Sequence, residues 1–153
     1  MTWKTDTLAG WGRVLSGEAE IARPEKPKSL STLLAQTPCP AIGEQRSYGD
    51  AAVNTDGKAV DMNRLDRFLD FDPETGVLEV EAGITISQIL QTYTPKGWMP
   101  AVMPGTGFAT VGGCIANDVH GKNHHGVGTF GQHVQSVQLV GADGAIQTVS
   151  PDQ

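Results

Sequence analysis

Phe68-Leu69-Asp70-Phe71-Asp72-Pro73-Glu74-Thr75-Gly76-Val77-Leu78-Glu79-Val80-Glu81-Ala82 reads as two short apolar arms folded across Asp72 to Gly76. Aspartate, proline and glycine supply the backbone angles of a tight turn, so the stretch predicts a β-hairpin. In its second arm Leu78, Val80 and Ala82 alternate with Glu79 and Glu81, as a half-buried strand requires. Thr85 and Gln88 follow at capping-box spacing, with Ile86, Ile89, Leu90 and Tyr93 on one helical face before Pro95 and Gly97 end the run. A hairpin feeding a capped helix is not the repeating strand–helix crossover of a purely parallel sheet. The fold class is therefore α+β.

Working outward from this stretch, Gly10-Trp11-Gly12-Arg13, the alternation around Ala19-Glu20-Ile21-Ala22, and the breakers Pro24 and Pro27 fit a strand entering a turn. Ser29 is placed to cap a helix carrying Leu30, Leu33 and Leu34, which Pro38 and Pro40 close before Ala41-Ile42 and Gly43. Ala59 to Met62 form a further strand. Toward the C-terminus Val134, Val137, Leu139 and Val140 predict a strand, Ala142-Asp143-Gly144 a turn, and Ala145 to Val149 its return. No internal repeat or low-complexity segment interrupts this order.

The 153 residues suffice for one domain with a modest core, and 39 % apolar against 18 % charged residues is a globular balance. A net charge of −6 argues against nucleic acid or an anionic membrane, which are met by basic patches. No apolar run approaches the ~20 residues of a membrane span, so the expectation is a soluble, cytoplasmic protein without a transmembrane segment. Cys39 and Cys114 match neither a CxxC motif nor a disulfide framework and read as free thiols.

Glycine is the compositional outlier, at 19 of 153 residues, and eight of these lie between Gly105 and Gly131. Three segments stand out: Gly43 to Asp50, Gly105 to Gly113, and Gly121 to Gly131. Glycine lets successive N–H groups converge on an anion and lets a ligand approach the main chain. Gly126-Val127-Gly128-Thr129-Phe130-Gly131 matches G-x-G-x-x-G, but it follows the polar Lys122-Asn123-His124-His125 rather than a strand, so it is no Rossmann site. All four histidines fall between His120 and His133. No Cys or carboxylate pattern completes a metal-ligand set there apart from Asp118, and adjacent His124 and His125 are expected to point apart. Lys122 is the sole Lys or Arg after residue 104, a lone ammonium suited to an anion or sugar hydroxyl.

Arg46-Ser47-Tyr48-Gly49-Asp50, Pro104-Gly105-Thr106, Thr110-Val111-Gly112-Gly113 and Asp118-Val119-His120-Gly121-Lys122-Asn123-His124-His125, in this order, resemble the FAD-binding domain of the vanillyl-alcohol-oxidase and p-cresol-methylhydroxylase (PCMH) type. Within that superfamily the chain is similar to the decaprenylphosphoryl-ribose oxidase group, in which a Gly-Trp-Gly-Arg start and an HGKNHH segment occur together. The resemblance covers nearly all of residues 1–153. It implies two small α+β subdomains with FAD between them, the change of subdomain falling near 104–114 and the second subdomain incomplete. It further implies that Gly43, Glu44, Gln45, Arg46, Ser47, Tyr48, Gly49 and Asp50 cradle the pyrophosphate, Ser47 donating its hydroxyl. Gly105, Thr106, Thr110, Val111, Gly112 and Gly113 would follow the cofactor further. Asn117, Asp118 and His120 would lie near the flavin, and Lys122, with His120, on the substrate side.

Two departures bear on chemistry. Gln45 stands where related proteins usually have a second glycine, which loosens backbone approach to the phosphates. Arg46 stands where several lactone oxidases carry a histidine bonded to the flavin, which implies non-covalent FAD. The resemblance implies an oxidoreductase acting on an alcohol group of a sugar, sugar lactone or polyprenyl-phosphoryl sugar by hydride transfer to FAD. It also implies that the substrate domain lies outside this chain, leaving open a truncation, a gene fragment, or a split enzyme completed by a second polypeptide. The chain alone is then expected to be inactive. A non-catalytic flavin-binding module is the alternative reading, and a His-cluster metal protein a weaker third.

Overall fold

In the computed structural model, which describes residues 2–151, eight strands and four α-helices alternate without a repeating unit. Strands β1 (Lys4–Ala9) and β2 (Ser16–Ala22) form an antiparallel hairpin whose tip is the Gly10–Arg13 turn. Only its second arm is legible in the sequence, because four of the six residues of β1 are exposed and polar ones dominate it. Helix α1 (Pro27–Gln36) then leads to β3 (Ala41–Ile42), and β4 (Lys58–Asp61) enters between β2 and β3, parallel to both. The resulting sheet has the order β1-β2-β4-β3.

Ser29 does not cap α1: the helix starts three residues earlier than that cap would place it, with Lys26 as N-cap, no side-chain capping bond, and proline in its first turn. Proline presets a helical φ and lacks the N–H that would go unpaired there, so Pro27 supplies the start signal instead. Leu30, Leu33 and Leu34 bury against Ala22, Val60 and Leu65, each burial contributing roughly 1.5–3 kcal/mol. Leu8, Ala19, Ile21, Ile42 and Ala59 form a separate cluster. Ala59 and Val60 are neighbours in β4 and join different clusters, as alternation across a strand requires. The sheet is thus buried on both faces at its centre.

The second core is built by the stretch quoted first. Strands β5 (Phe68–Phe71) and β6 (Leu78–Val80) pair antiparallel with an irregular register between Phe68 and Asp70. Helix α2 (Ile86–Tyr93) carries the expected capping box of Thr85 and Gln88 and buries Ile86, Ile89 and Tyr93. Gly97, at φ 86°, ends the run. Phe68, Phe71 and Trp98 surround Tyr93 and its neighbours, and Cys114 of α3 (Val111–Ala116) closes the cluster.

Glu81 departs from the alternation: it is buried, not solvent-facing, because β6 ends at Val80 and the chain turns inward. Its carboxylate accepts hydrogen bonds from the Arg67 backbone N–H at 2.9 Å and from Nε at 3.0 Å and Nη2 at 2.5 Å of the same residue. Burial alone pushes the Glu81 carboxyl up, but these bonds and the adjacent guanidinium outweigh it and hold the group below the usual carboxylate range.

A short helix α4 (His124–Val127) and a 3-10 turn (Phe130–His133) carry the later Gly-rich segment to a final hairpin, β7 (Val137–Val140) and β8 (Ile146–Val149). The hairpin packs back on α1, where the Ser31 hydroxyl donates to the Gly144 carbonyl at 2.6 Å. Both cysteines are free, and burial pushes the Cys114 thiol up to about 11. Among the described residues no helix is long and apolar enough to cross a membrane.

Candidate functional site

The loop from Gly43 to Asp50 leaves the sheet at the end of β3 and is fixed from outside rather than from within. Ser47 accepts the Trp11 N–H at 2.9 Å, and the Gln45 side-chain oxygen accepts the Ala9 N–H at 2.9 Å. A Cβ on Gly10 would overlap the Gly49 carbonyl oxygen, so the turn between β1 and β2 rests directly on the loop. Among the described residues no backbone N–H from Glu44 to Asp50 donates to a protein acceptor. N–H groups left without protein acceptors are available to an anion. Gly49, at φ 63°, faces open space, and so does the position of Gly105.

Gln45 sits at φ 52°, in the left-handed region that glycine enters freely and other residues enter at a cost of about 1–2 kcal/mol. The bond to Ala9 offsets part of that strain. A cavity of about 280 Å³ beside the loop is lined by Gly10, Trp11, Arg13, Glu44, Gln45 and Arg46.

The second Gly-rich segment behaves differently. Thr110 is the N-cap of α3, its hydroxyl accepting the Gly113 N–H at 3.2 Å, while Val111 and Gly112 donate to the carbonyls of Ile84 and Ala82. The first-turn donors of α3 are thus consumed inside the protein. Gly112 lies where a Cβ would come 2.9 Å from the Ala82 Cβ and 3.2 Å from its carbonyl oxygen, so this glycine serves helix packing. Gly43 abuts the same cap, since a Cβ there would lie 2.6 Å from Thr110 Oγ1. That contact brings the two Gly-rich segments together.

The third segment folds back on residues 101–105. Asn123 Nδ2 donates to the Ala101 carbonyl at 3.0 Å, and Gly121 fits against the Met103 carbonyl, where a Cβ would lie 2.7 Å away. The open cleft between them, about 830 Å³, is lined by Met103, Gly105, His120, Lys122, Asn123 and His124 among others. His124 Nδ1 lies 3.1 Å from the Gly121 carbonyl oxygen. A carbonyl only accepts, so Nδ1 carries a proton. Lys122 makes no ion pair among the described residues.

Of the expected site residues, the structure gathers Gly105, His120 and Lys122 at this cleft and Glu44, Gln45 and Arg46 at the smaller cavity. Asn117 and Asp118 line neither. The Asn117 amide donates to the Gly113 carbonyl, and Asp118 accepts the Gly131 N–H at 2.8 Å, so both side chains hold the backbone. His124 and His125 do not point apart: both start α4, and their ring centroids lie 3.9 Å from each other. Among the described residues no three of His, Cys, Asp or Glu gather as a metal-ligand set. Trp11 and Phe108 were not identified as site residues from sequence, although both rings flank Arg46. The only sequence signal for Trp11 was the Gly-Trp-Gly-Arg turn between two strands.

Residues 21–150 match the model of a family described as FAD binding domain. The chain belongs to this FAD-binding family. FAD is its cofactor, and the unpaired N–H groups of the first loop, together with the buried Arg46 Nε that lacks a hydrogen-bond partner, suit a phosphate-bearing ligand. The chain is 38 % identical over 96 % of its length to decaprenylphosphoryl-beta-D-ribose oxidase of Mycolicibacterium smegmatis, covering 33 % of that protein. It is 26 % identical over 91 % of its length to L-gulono-1,4-lactone dehydrogenase of Mycobacterium tuberculosis, again covering 33 %. With D-arabinono-1,4-lactone oxidase of Yarrowia lipolytica it shares 29 % identity over 73 % of its length and 22 % of that protein. The chain spans a third or less of these relatives, which are oxidoreductases by name.

Proposed function

We propose that residues 1–153 are the FAD-binding portion of an oxidoreductase acting on an alcohol group of a sugar, sugar lactone or polyprenyl-phosphoryl sugar. The observation that carries the reading is the row of unpaired N–H groups from Glu44 to Asp50, packed through Gly43 against the Thr110 cap of α3, in a chain that also forms a cleft bearing His120 and Lys122. Bound FAD supplies a hydride acceptor. Gly43 to Asp50 hold its pyrophosphate through backbone donors, with Ser47 adding a hydroxyl. Gly105 gives clearance, and the chain passes from one small subdomain to the next near 104–114. The binding is non-covalent, because a guanidinium at position 46 does not form the flavin bond that a histidine forms in lactone oxidases.

His120 and Lys122 face the substrate side. Lys122 is the one Lys or Arg lining the cleft, and no carboxylate lines it, so the field there favours an anionic or hydroxyl-rich ligand. The names of the relatives, two sugar-lactone enzymes and a phosphoryl-ribose oxidase, support that substrate class.

The test has two parts. Purified chain should carry the visible absorption of oxidised flavin, and denaturation should release all of it. The whole protein, under anaerobic conditions, should then bleach with sugar alcohols, aldonolactones or polyprenyl-phosphoryl sugars. A yellow protein that no such substrate bleaches would refute the catalytic reading and leave a flavin-holding module.

A further inference from the structure

Arg46 occupies a position that cofactor binding by the backbone does not explain. Its guanidinium carbon lies 4.9 Å from the centroid of the Trp11 ring and 5.1 Å from that of Phe108, so the cation is flanked by two aromatic faces. Glu44 meets one terminal nitrogen at 3.6 Å, beyond good hydrogen-bond length, and Nε is buried without any acceptor. The side chain is held by its ring contacts rather than by hydrogen bonds.

The backbone that carries each ring is anchored, while the rings themselves are about half exposed. Trp11 belongs to the turn between β1 and β2, and its backbone N–H donates to the Ser47 carbonyl. Phe108 sits between Gly107 and Ala109, whose carbonyls accept the Ser87 and Ile86 N–H groups at 2.8 and 3.0 Å, at the start of α2. Arg46 therefore bridges the β1–β2 turn, through Trp11, to the loop that borders the start of α2, through Phe108. The anion cradle itself lacks internal N–H bonds, and a loop so constructed loses ordering entropy when a ligand binds unless something else holds it.

We propose that Arg46 is a positioning residue: clamped between Trp11 and Phe108, it presets the Gly43–Asp50 cradle against the far wall before the dinucleotide arrives. This rests on the FAD reading of the cradle. The mechanism is preorganisation, and its strength is that of two cation–π contacts.

The test is a double-mutant cycle on the 153-residue chain, read by FAD affinity and by side-chain NMR without ligand. Arg46→Met should weaken FAD binding about 10-fold, within the roughly 2- to 30-fold range of such contacts. Arg46→Lys, which keeps the charge over the rings, should recover part of the loss. Phe108→Ala should also weaken binding, yet cause no further loss in the Arg46→Met background, because the two residues act as one unit. In the ligand-free protein the ring-shifted Arg46 signals should move toward ordinary values in Phe108→Ala, with thermal stability little changed. Multiplying losses, or unmoved Arg46 signals in Phe108→Ala, would overturn the clamp. A wild-type chain with no FAD affinity but with coupled Arg46 signals would instead overturn the FAD reading of the cradle and leave the clamp standing.

Discussion

Gly112 and Gly105 look alike in the sequence, and replacing each by alanine separates a packing glycine from a clearance glycine. At Gly112 the new Cβ would lie 2.9 Å from the Ala82 Cβ, where real Cβ contacts essentially never fall under 3.0 Å, so backbone or helix must shift. Overpacking of this kind costs about 1–3 kcal/mol. The shift also stretches the 2.9 Å bond from the Gly112 N–H to the Ala82 carbonyl, which contributes about 1 kcal/mol. Alanine returns at most about 1 kcal/mol of helix propensity, and less in the first turn of a short helix. The net is a destabilisation of about 2 kcal/mol, or about 4–8 °C in melting temperature for a chain of this size. Gly105→Ala meets no heavy atom within 4 Å and needs no unusual φ. It should melt within about 0.5 kcal/mol of wild type while losing FAD affinity, if a ligand passes that point. Thermal unfolding of the ligand-free proteins followed by flavin titration is the assay. Equal melting temperatures for the two variants would refute the packing assignment of Gly112.

Arg67→Leu should strip the buried Glu81 carboxylate of its two guanidinium donors and leave it the backbone N–H of residue 67. It should destabilise the protein near neutral pH, by less than the loss of a fully buried pair because Arg67 is half exposed. Glu81 is held below its ordinary value, so its contribution is complete above the unfolded pKa of about 4.3 and is lost as the pH falls through the lower folded value. Urea unfolding from about pH 6 to pH 3 should show the gap between wild type and variant narrowing, and a constant gap would count against the pair. Acid precipitation of the flavin-loaded chain should leave all flavin in the supernatant, whereas flavin retained on the pellet would exclude non-covalent binding. Gly10→Ala should weaken FAD binding with the sheet retained, because its Cβ would displace the Gly49 carbonyl. Unchanged affinity would show that the cradle does not depend on the β1–β2 turn.

What the sequence determined by itself was local and periodic. The Asp72–Gly76 turn, the alternation in Leu78–Val80, the Thr85–Gln88 box and the closing hairpin were legible because each depends on residues a few positions apart. The family was legible for a related reason, since its Gly-rich segments are contiguous. Strand β1 escaped because most of its residues face solvent and no apolar alternation marks it. The inward turn of Glu81 escaped because its partner Arg67 lies 14 residues away. Tertiary structure alone decided which glycines face open space and which face Ala82 or Thr110, since a missing side chain carries no mark of what stands opposite it. It also decided that Arg46 lies between Trp11 and Phe108, residues 35 and 62 positions away along the chain: such a contact exists only once both cores have formed and brought their loops together.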